Sequence, residues 1–187
     1  MGERGALNRA VFLDRDGVIS RTFIRNGKPF APTTVEQFEL LPNVTTAIAA
    51  LKKFGFRVIV VTNQPDVGAG RVAREVVEAM NKRMRHECQV DDVRVCYHTD
   101  TDGCACRKPK PGLLVAAAND WSVDLRRSYM VGDRWRDIGA GRAAGCRTVL
   151  IDYNYVEQRA EKPDIVVKSL MEASQKILSE VRHAGTQ

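Results

Sequence analysis

Five apolar runs of four to six residues recur along this chain, and segments of helical periodicity separate them. They are Ala10 to Leu13, Phe56 to Val61, Val93 to Tyr97, Ser128 to Val131 and Arg147 to Ile151. Runs that short, with little polar alternation, read as strands buried on both faces. Between them, Val44, Ala47, Ile48 and Leu51 form one helical stripe, with Pro42 suited to its start and Gly55 to its end. Val72, Val76, Met80 and Met84 form another over about 71–87, where Glu78 and Lys82 are spaced as a helical ion pair. Pro111 opens a third helix, and a fourth runs from Trp135 to Ala144 and stops at Gly145. A polar linker, Asp152 to Pro163, leads to a last strand at Ile165 to Val167 and a terminal helix. Residues 20–41, with Gly27, Pro29 and Pro32, read as a loop, and Asp66 to Gly70 as a turn. Strands alternating with helices predict an α/β fold, a Rossmann-like, mostly parallel sheet with helices on both faces. The 187 residues, with no internal repeat, predict a single domain over 1–187.

Composition narrows the partners. The chain is 44% hydrophobic and 28% charged, enough for a core and unlike a disordered segment. Its net charge of +6 and pI of 9.2 suit anionic ligands. No Lys/Arg run or aromatic RNA-binding motif points to nucleic acid, and no run reaches the roughly 18 apolar residues of a membrane span. The start, MGERGALNRAVFL, has too short an apolar run for a signal peptide, so a cytoplasmic protein is expected. The five cysteines are then thiols or metal ligands rather than disulfides.

Three of the strands end on polar groups suited to chemistry. Asp14 and Asp16 close the first, Thr62 and Asn63 the second, and Gly132-Asp133 the fourth, with Asp137 one helical turn later. In parallel sheets, ligands bind beyond the carboxyl ends of the strands. Two carboxylates so close repel unless a cation intervenes, and Mg²⁺ favours such oxygen ligands. Alone, Asp-x-Asp-Gly also fits a polar turn, and Asp137 fits a helix cap as well as a place near the metal's water shell.

Cys96-x-His98 and Cys104-x-Cys106 place four soft ligands within eleven residues. Side chains two apart on extended backbone point the same way, so each pair can grip one ion. Two pairs close a tetrahedral, structural Zn²⁺ site; free thiols, or a disulfide within Cys104-x-Cys106, are the alternative. Arg107 and Lys108 follow directly, so zinc would fix the backbone that aims Lys108.

Asp14-Arg15-Asp16-Gly17-Val18, Thr62-Asn63-Gln64, Lys108 and Gly132-Asp133 through Asp137 together resemble the haloacid dehalogenase superfamily. The resemblance spans roughly residues 10–170 and implies a phosphatase with no large cap domain. It implies Asp14 as nucleophile, Asp16 as acid and base, and Thr62 and Lys108 as ligands of the transferring phosphoryl oxygens. It also implies Mg²⁺ on Asp14, Asp133 and the Asp16 carbonyl. Asn63, Gln64, Arg107 and Arg134 are the candidate substrate contacts, and Arg21 and Arg25 would add positive field if they reach the mouth. The run Cys104-Ala-Cys106-Arg107-Lys108-Pro109 resembles the branch holding heptose 1,7-bisphosphate phosphatases and histidinol-phosphate phosphatases. The expected substrate is a small phosphorylated metabolite, a sugar bisphosphate cleaved at carbon 7 before histidinol phosphate, and the expected state a monomer. A nucleic-acid end phosphatase and a non-catalytic zinc-stabilised module are the lesser alternatives.

Overall fold

The structure, a computed structural model, describes residues 7–184; the first part of the amino-terminal flank read for a signal lies outside them. Six parallel strands form one sheet: β1 (Arg9–Leu13), β4 (Phe56–Asn63), β5 (Asp92–Cys96), β6 (Tyr129–Gly132), β7 (Arg147–Ile151) and β8 (Ile165–Val167), in the order β5-β4-β1-β6-β7-β8. The chain moves outward from β1 to β5, then crosses back to β6 on the other side of β1. The switch point is therefore the crevice between β1 and β6, where such sheets bind ligands.

The pleat explains why these strands read as unbroken apolar runs. Val11 and Leu13 face one layer, with Val58 and Val60 of β4, against α1 (Val44–Lys53), α3 (Arg74–Cys88) and α6 (Leu170–Ala184). Ala10 and Phe12 face the other, with Ile59 and Val61, against α4 (Gly112–Asp120) and α5 (Trp135–Ala144). Alternate residues thus enter two cores and neither face can be polar. All eight of these strand residues are 0% exposed.

Local readings need four adjustments. Residues 20–41 hold a hairpin, β2 (Phe23–Arg25) paired antiparallel with β3 (Lys28–Phe30), its turn made by Asn26 and Gly27 at positive φ. The expected turn after β4 begins with a short helix, α2 (Pro65–Gly68). Pro42 lies before the first helix, whose N-cap is Asn43. Finally, α3 starts after Val72, and Val77 is the buried valine of its core face. Its Glu78 pairs with Arg74 and accepts from the Tyr97 hydroxyl, rather than forming the expected pair with Lys82.

Candidate active site

Asp14 leaves the end of β1, Asp133 the end of β6, and Lys108 reaches in from the loop before α4. All three are buried. Lys108 Nζ lies 2.9 Å from Asp14 Oδ1, 2.6 Å from Asp137 Oδ1 and 2.8 Å from the Val61 carbonyl. An ammonium has three protons, so this one is fully engaged. Its two carboxylates push its pKa up against the opposing effect of burial. Burial raises the Asp14 carboxyl to about 6, with help from Asp137 and Asp16, while Lys108 pulls the other way. Asp133 is raised well above the usual carboxylate range by burial and by Asp137 and Asp14.

That is the electrostatic signature of a site short of positive charge. One oxygen from each of Asp14, Asp133 and Asp137 falls within a 4.8 Å group, and Asp133 Oδ1 is buried with no hydrogen-bond partner. Hard oxygen donors with an orphaned acceptor fit a divalent cation. Gly17 makes the close approach possible: a Cβ there would lie 1.9 Å from Asp133 Oδ2, and its φ is +87°. Asp137 Oδ2 accepts the Arg134 N–H as a helix cap, while Oδ1 pairs with Lys108.

Asp16 sits in a web of donors. Arg15, 0% exposed, donates from Nε and Nη2 to its two oxygens, Ser20 adds a bond at 2.9 Å and Gln64 another at 2.7 Å. Gln64 also donates to Thr62 Oγ1 at 3.0 Å. Gln64 is thus buried behind the site, and its expected substrate contact is corrected to holding Asp16 and Thr62. Asn63 borders the cavity but spends its amide on Lys108, donating to its carbonyl and accepting its N–H, both at 3.1 Å. Arg107 points away from the cavity, bound to Asp100 at 2.8 Å and to the His98 carbonyl. Arg21 pairs with Glu39 and Arg25 lies over the Phe30 ring, so neither borders the cavity.

The cavity, about 350 Å³, runs from Asp14, Asp16 and Lys108 to a mouth bordered by Lys28, Phe30, Arg134 and Arg136. Arg134 borders it as expected, paired with Glu157. Lys28 and Arg136 escaped the sequence reading because nothing separates them there from surface charge. Arg136 is steered by Asp100, 3.1 Å away, the same carboxylate that holds Arg107.

Beside this site, the four expected soft ligands meet. Cys106 Sγ lies 3.2 Å from Cys96 Sγ, 3.4 Å from Cys104 Sγ and 3.3 Å from His98 Nδ1. All four ligand atoms form one group within 4.8 Å, a set suited to tetrahedral zinc. Burial pushes the Cys96 thiol up to about 12, which a bound cation would reverse. The intervening residues are not slack: Thr99 and Asp102 form a reciprocal cap around a short turn, Asp100–Asp102.

A family model described as HAD-hydrolase-like matches residues 105–173. A Pseudomonas putida D-glycero-beta-D-manno-heptose-1,7-bisphosphate 7-phosphatase is 35% identical over 82% of this chain and 88% of that protein. The chain belongs to the haloacid-dehalogenase-like phosphatases. The Escherichia coli 7-phosphatase of the same name is 31% identical over 94% of this chain and 96% of its own. Among solved members of this phosphatase family, a D,D-heptose 1,7-bisphosphate phosphatase from B. bronchiseptica, complexed with magnesium and phosphate, superposes with a TM-score of 0.76 at 28% identity, over 92% of this chain and 99% of that one. A putative HAD-like phosphatase from Mesorhizobium loti gives 0.72 at 29% identity, over 95% and 91%. The family's α/β fold without a large cap is the one described above, and no helix among the described residues is long and apolar enough to cross a membrane.

Proposed function

We propose that this phosphatase removes the phosphate at carbon 7 of a heptose 1,7-bisphosphate through a phosphorylated Asp14. The observation that carries the mechanism is the setting of Asp14. Its Oδ1 is tied down by the Arg15 N–H at 2.7 Å and by Lys108, and the residue lines the cavity, so Oδ2 is the oxygen assigned to attack on phosphorus. As the Asp14–phosphorus bond forms, the bond to the leaving alkoxide breaks, and Asp16 supplies that oxygen's proton. Water then attacks the phosphorus and gives its proton to Asp16; the Asp14–phosphorus bond breaks, inorganic phosphate leaves and Asp14 returns as a carboxylate. Asp16 borders the cavity but is held by four donor bonds, one of which must open for it to serve. Thr62, 1% exposed and outside the residues that line the cavity, accepts at Oγ1 from Gln64; its own proton is the one assigned to a phosphoryl oxygen. Lys108 contributes fixed positive charge where the transition state gathers negative charge.

Asp14, Asp133 and the Asp16 carbonyl would hold Mg²⁺, with Asp137 beside them. When bound, Mg²⁺ supplies the positive charge that lets an anionic nucleophile approach an anionic phosphate. Cys96, His98, Cys104 and Cys106 would hold a structural Zn²⁺ with no open position for chemistry.

The named relatives support the sugar bisphosphate, and so does Lys28 at the mouth, a cation beside Arg134 and Arg136, which are held by Glu157 and Asp100. The test is phosphate release with Mg²⁺ from heptose 1,7-bisphosphate, histidinol phosphate and a 3′-phosphorylated oligonucleotide, with Asp14→Asn as control. Preference for the bisphosphate, lost in Asp14→Asn, is expected. Preference for histidinol phosphate would replace the substrate and keep the mechanism; turnover by Asp14→Asn would overturn the mechanism.

A further inference from the structure

The segment between β7 and β8 reads as a polar linker, yet it folds over the catalytic end of the sheet. Tyr155 Oη donates to Asp133 Oδ2 at 2.9 Å and lies 3.3 Å from Thr22 Oγ1. The Val156 N–H donates to the Gly27 carbonyl at 2.8 Å, and Glu157 pairs with Arg134. Thr22 precedes hairpin β2–β3 and Gly27 makes its turn, so one short segment contacts both the hairpin and the Asp133 carboxylate.

Counting protons fixes the direction of these bonds. A cation ligand is an ionised carboxylate and only accepts, so in that state the single phenolic proton of Tyr155 goes to Asp133, and the Thr22 hydroxyl donates to Tyr155 Oη. On its other side the carboxylate rests against Gly17, where an added Cβ would come within 1.9 Å of Oδ2. Oδ2 is thereby pinned between Gly17 and Tyr155. Oδ1 is left buried and without a partner, on a carboxylate that is grouped with those of Asp14 and Asp137.

We propose that Tyr155 is the positioning residue of the cation site: its hydroxyl holds Asp133 Oδ2 so that Oδ1 stays presented to a divalent cation, and its segment fastens the hairpin to that ligand. This rests on the reading of Asp133 as a Mg²⁺ ligand. Outer-shell donors of this kind orient the ligand, and their removal typically weakens metal binding about 10–100-fold.

The test is calorimetric titration of Mg²⁺ into the full-length protein and into Tyr155→Phe. Tyr153→Phe and Asp133→Asn serve as references; the Tyr153 ring stacks on Tyr155 with centroids 5.5 Å apart. Tyr155→Phe is expected to bind Mg²⁺ about tenfold more weakly, while its metal-free melting temperature stays at the wild-type value. Tyr153→Phe should bind as wild type does, and Asp133→Asn not at all. In turnover, Tyr155→Phe should raise the Mg²⁺ concentration for half-maximal rate and leave the KM for substrate at saturating Mg²⁺ unchanged. Mg²⁺ affinity within about twofold of wild type in Tyr155→Phe would overturn the proposal and leave the cation site standing. A lowered metal-free melting temperature accompanying the weaker binding would assign the hydroxyl a merely structural role and overturn it too. Absence of Mg²⁺ binding by the wild-type protein would remove the cation reading itself, and this proposal with it.

Discussion

Lys108 is where single atoms decide the most. Its ammonium has Asp14, Asp137 and a main-chain carbonyl as its three acceptors, and it is 1% exposed. Lys108→Met keeps the length of the side chain and removes the charge, leaving two buried carboxylates facing each other. Breaking such a pair costs about 3–5 kcal/mol, and losing the fixed positive charge beside the transition state costs about 10²–10³ in kcat. Urea unfolding and phosphate release would measure the two losses separately; a variant with near-wild-type kcat would deny Lys108 its role. Lys28 calls for a gentler change. No acidic partner for it stands among the described residues, and it borders the cavity mouth. Lys28→Ala should raise KM for a bisphosphate roughly tenfold while barely moving KM for a monophosphate; equal shifts for both substrates would mean that Lys28 does not read the second phosphate. Asp14, Asp16, Thr62, Lys108 and Asp133 were legible in the sequence because each interrupts or follows an apolar period at a strand end or beside the metal-ligand cluster. Asn63, Gln64 and Arg107 were legible as polar groups near the site but not in their contacts. Asn63 meets the backbone of a residue 45 positions away, and Gln64 a carboxylate 48 positions away, and no local pattern encodes such pairings.

Among the elements, the loop carrying the four candidate zinc ligands, Cys96, His98, Cys104 and Cys106, binds more than itself. Lys110 Nζ donates to the Gly103 and Cys104 carbonyls, and Gly112 approaches Ala105 so closely that a Cβ would lie 2.3 Å from its carbonyl oxygen. Lys108 lies inside this knot, and Arg136 is tied to it through Asp100. Metal removal should therefore displace one cation beside Asp14 and another at the mouth. Misplacement by about an ångström can cost on the order of 10²-fold in rate. Chelation, or Cys104→Ser, is expected to lower kcat and raise KM together, with zinc content followed by metal analysis. Full activity in zinc-free protein would sever the loop from the chemistry. The loop was readable because metal ligation imposes a spacing on sequence. Hairpin β2–β3 was not, because two three-residue strands around Gly27 carry no period long enough to show, and four of their six residues are exposed. The Asp152–Pro163 segment was read as a linker for the same reason: its contacts to Asp133, Gly27 and Arg134 are made by side chains and backbone with no periodic pattern.

At the scale of the molecule, the topology forces carboxylates together at the β1–β6 crevice, and the fold carries that repulsion until a cation arrives. The consequence is a linkage between pH, Mg²⁺ and stability. The Asp14 carboxyl is raised to about 6 in the folded protein from 3.8, with burial the largest cause. Between these values the folded state holds a proton that the unfolded state has released, so stability of the metal-free protein falls as pH rises from about 4 to about 6. Asp133, also raised well above the usual carboxylate range by burial and by Asp137 and Asp14, adds a decline of the same sign. Lys108 does not oppose it there, because a raised lysine contributes its full stabilisation at every pH below its unfolded value of 10.5. Mg²⁺ competes with those same protons, so it should stabilise little at pH 5 and strongly at pH 7.5. At a hundred times its dissociation constant a ligand adds about 2.7 kcal/mol, which in a chain of this size is about 5–10 °C. Thermal melts at the two pH values, with and without Mg²⁺, decide the matter. Asp133→Asn should raise the metal-free melting temperature at pH 7.5, because it removes a buried charge, and should erase the Mg²⁺ increment. An increment of the same size at both pH values would mean that Mg²⁺ does not displace protons from these carboxylates, and that the crowding of charge at the crevice is relieved by some other group.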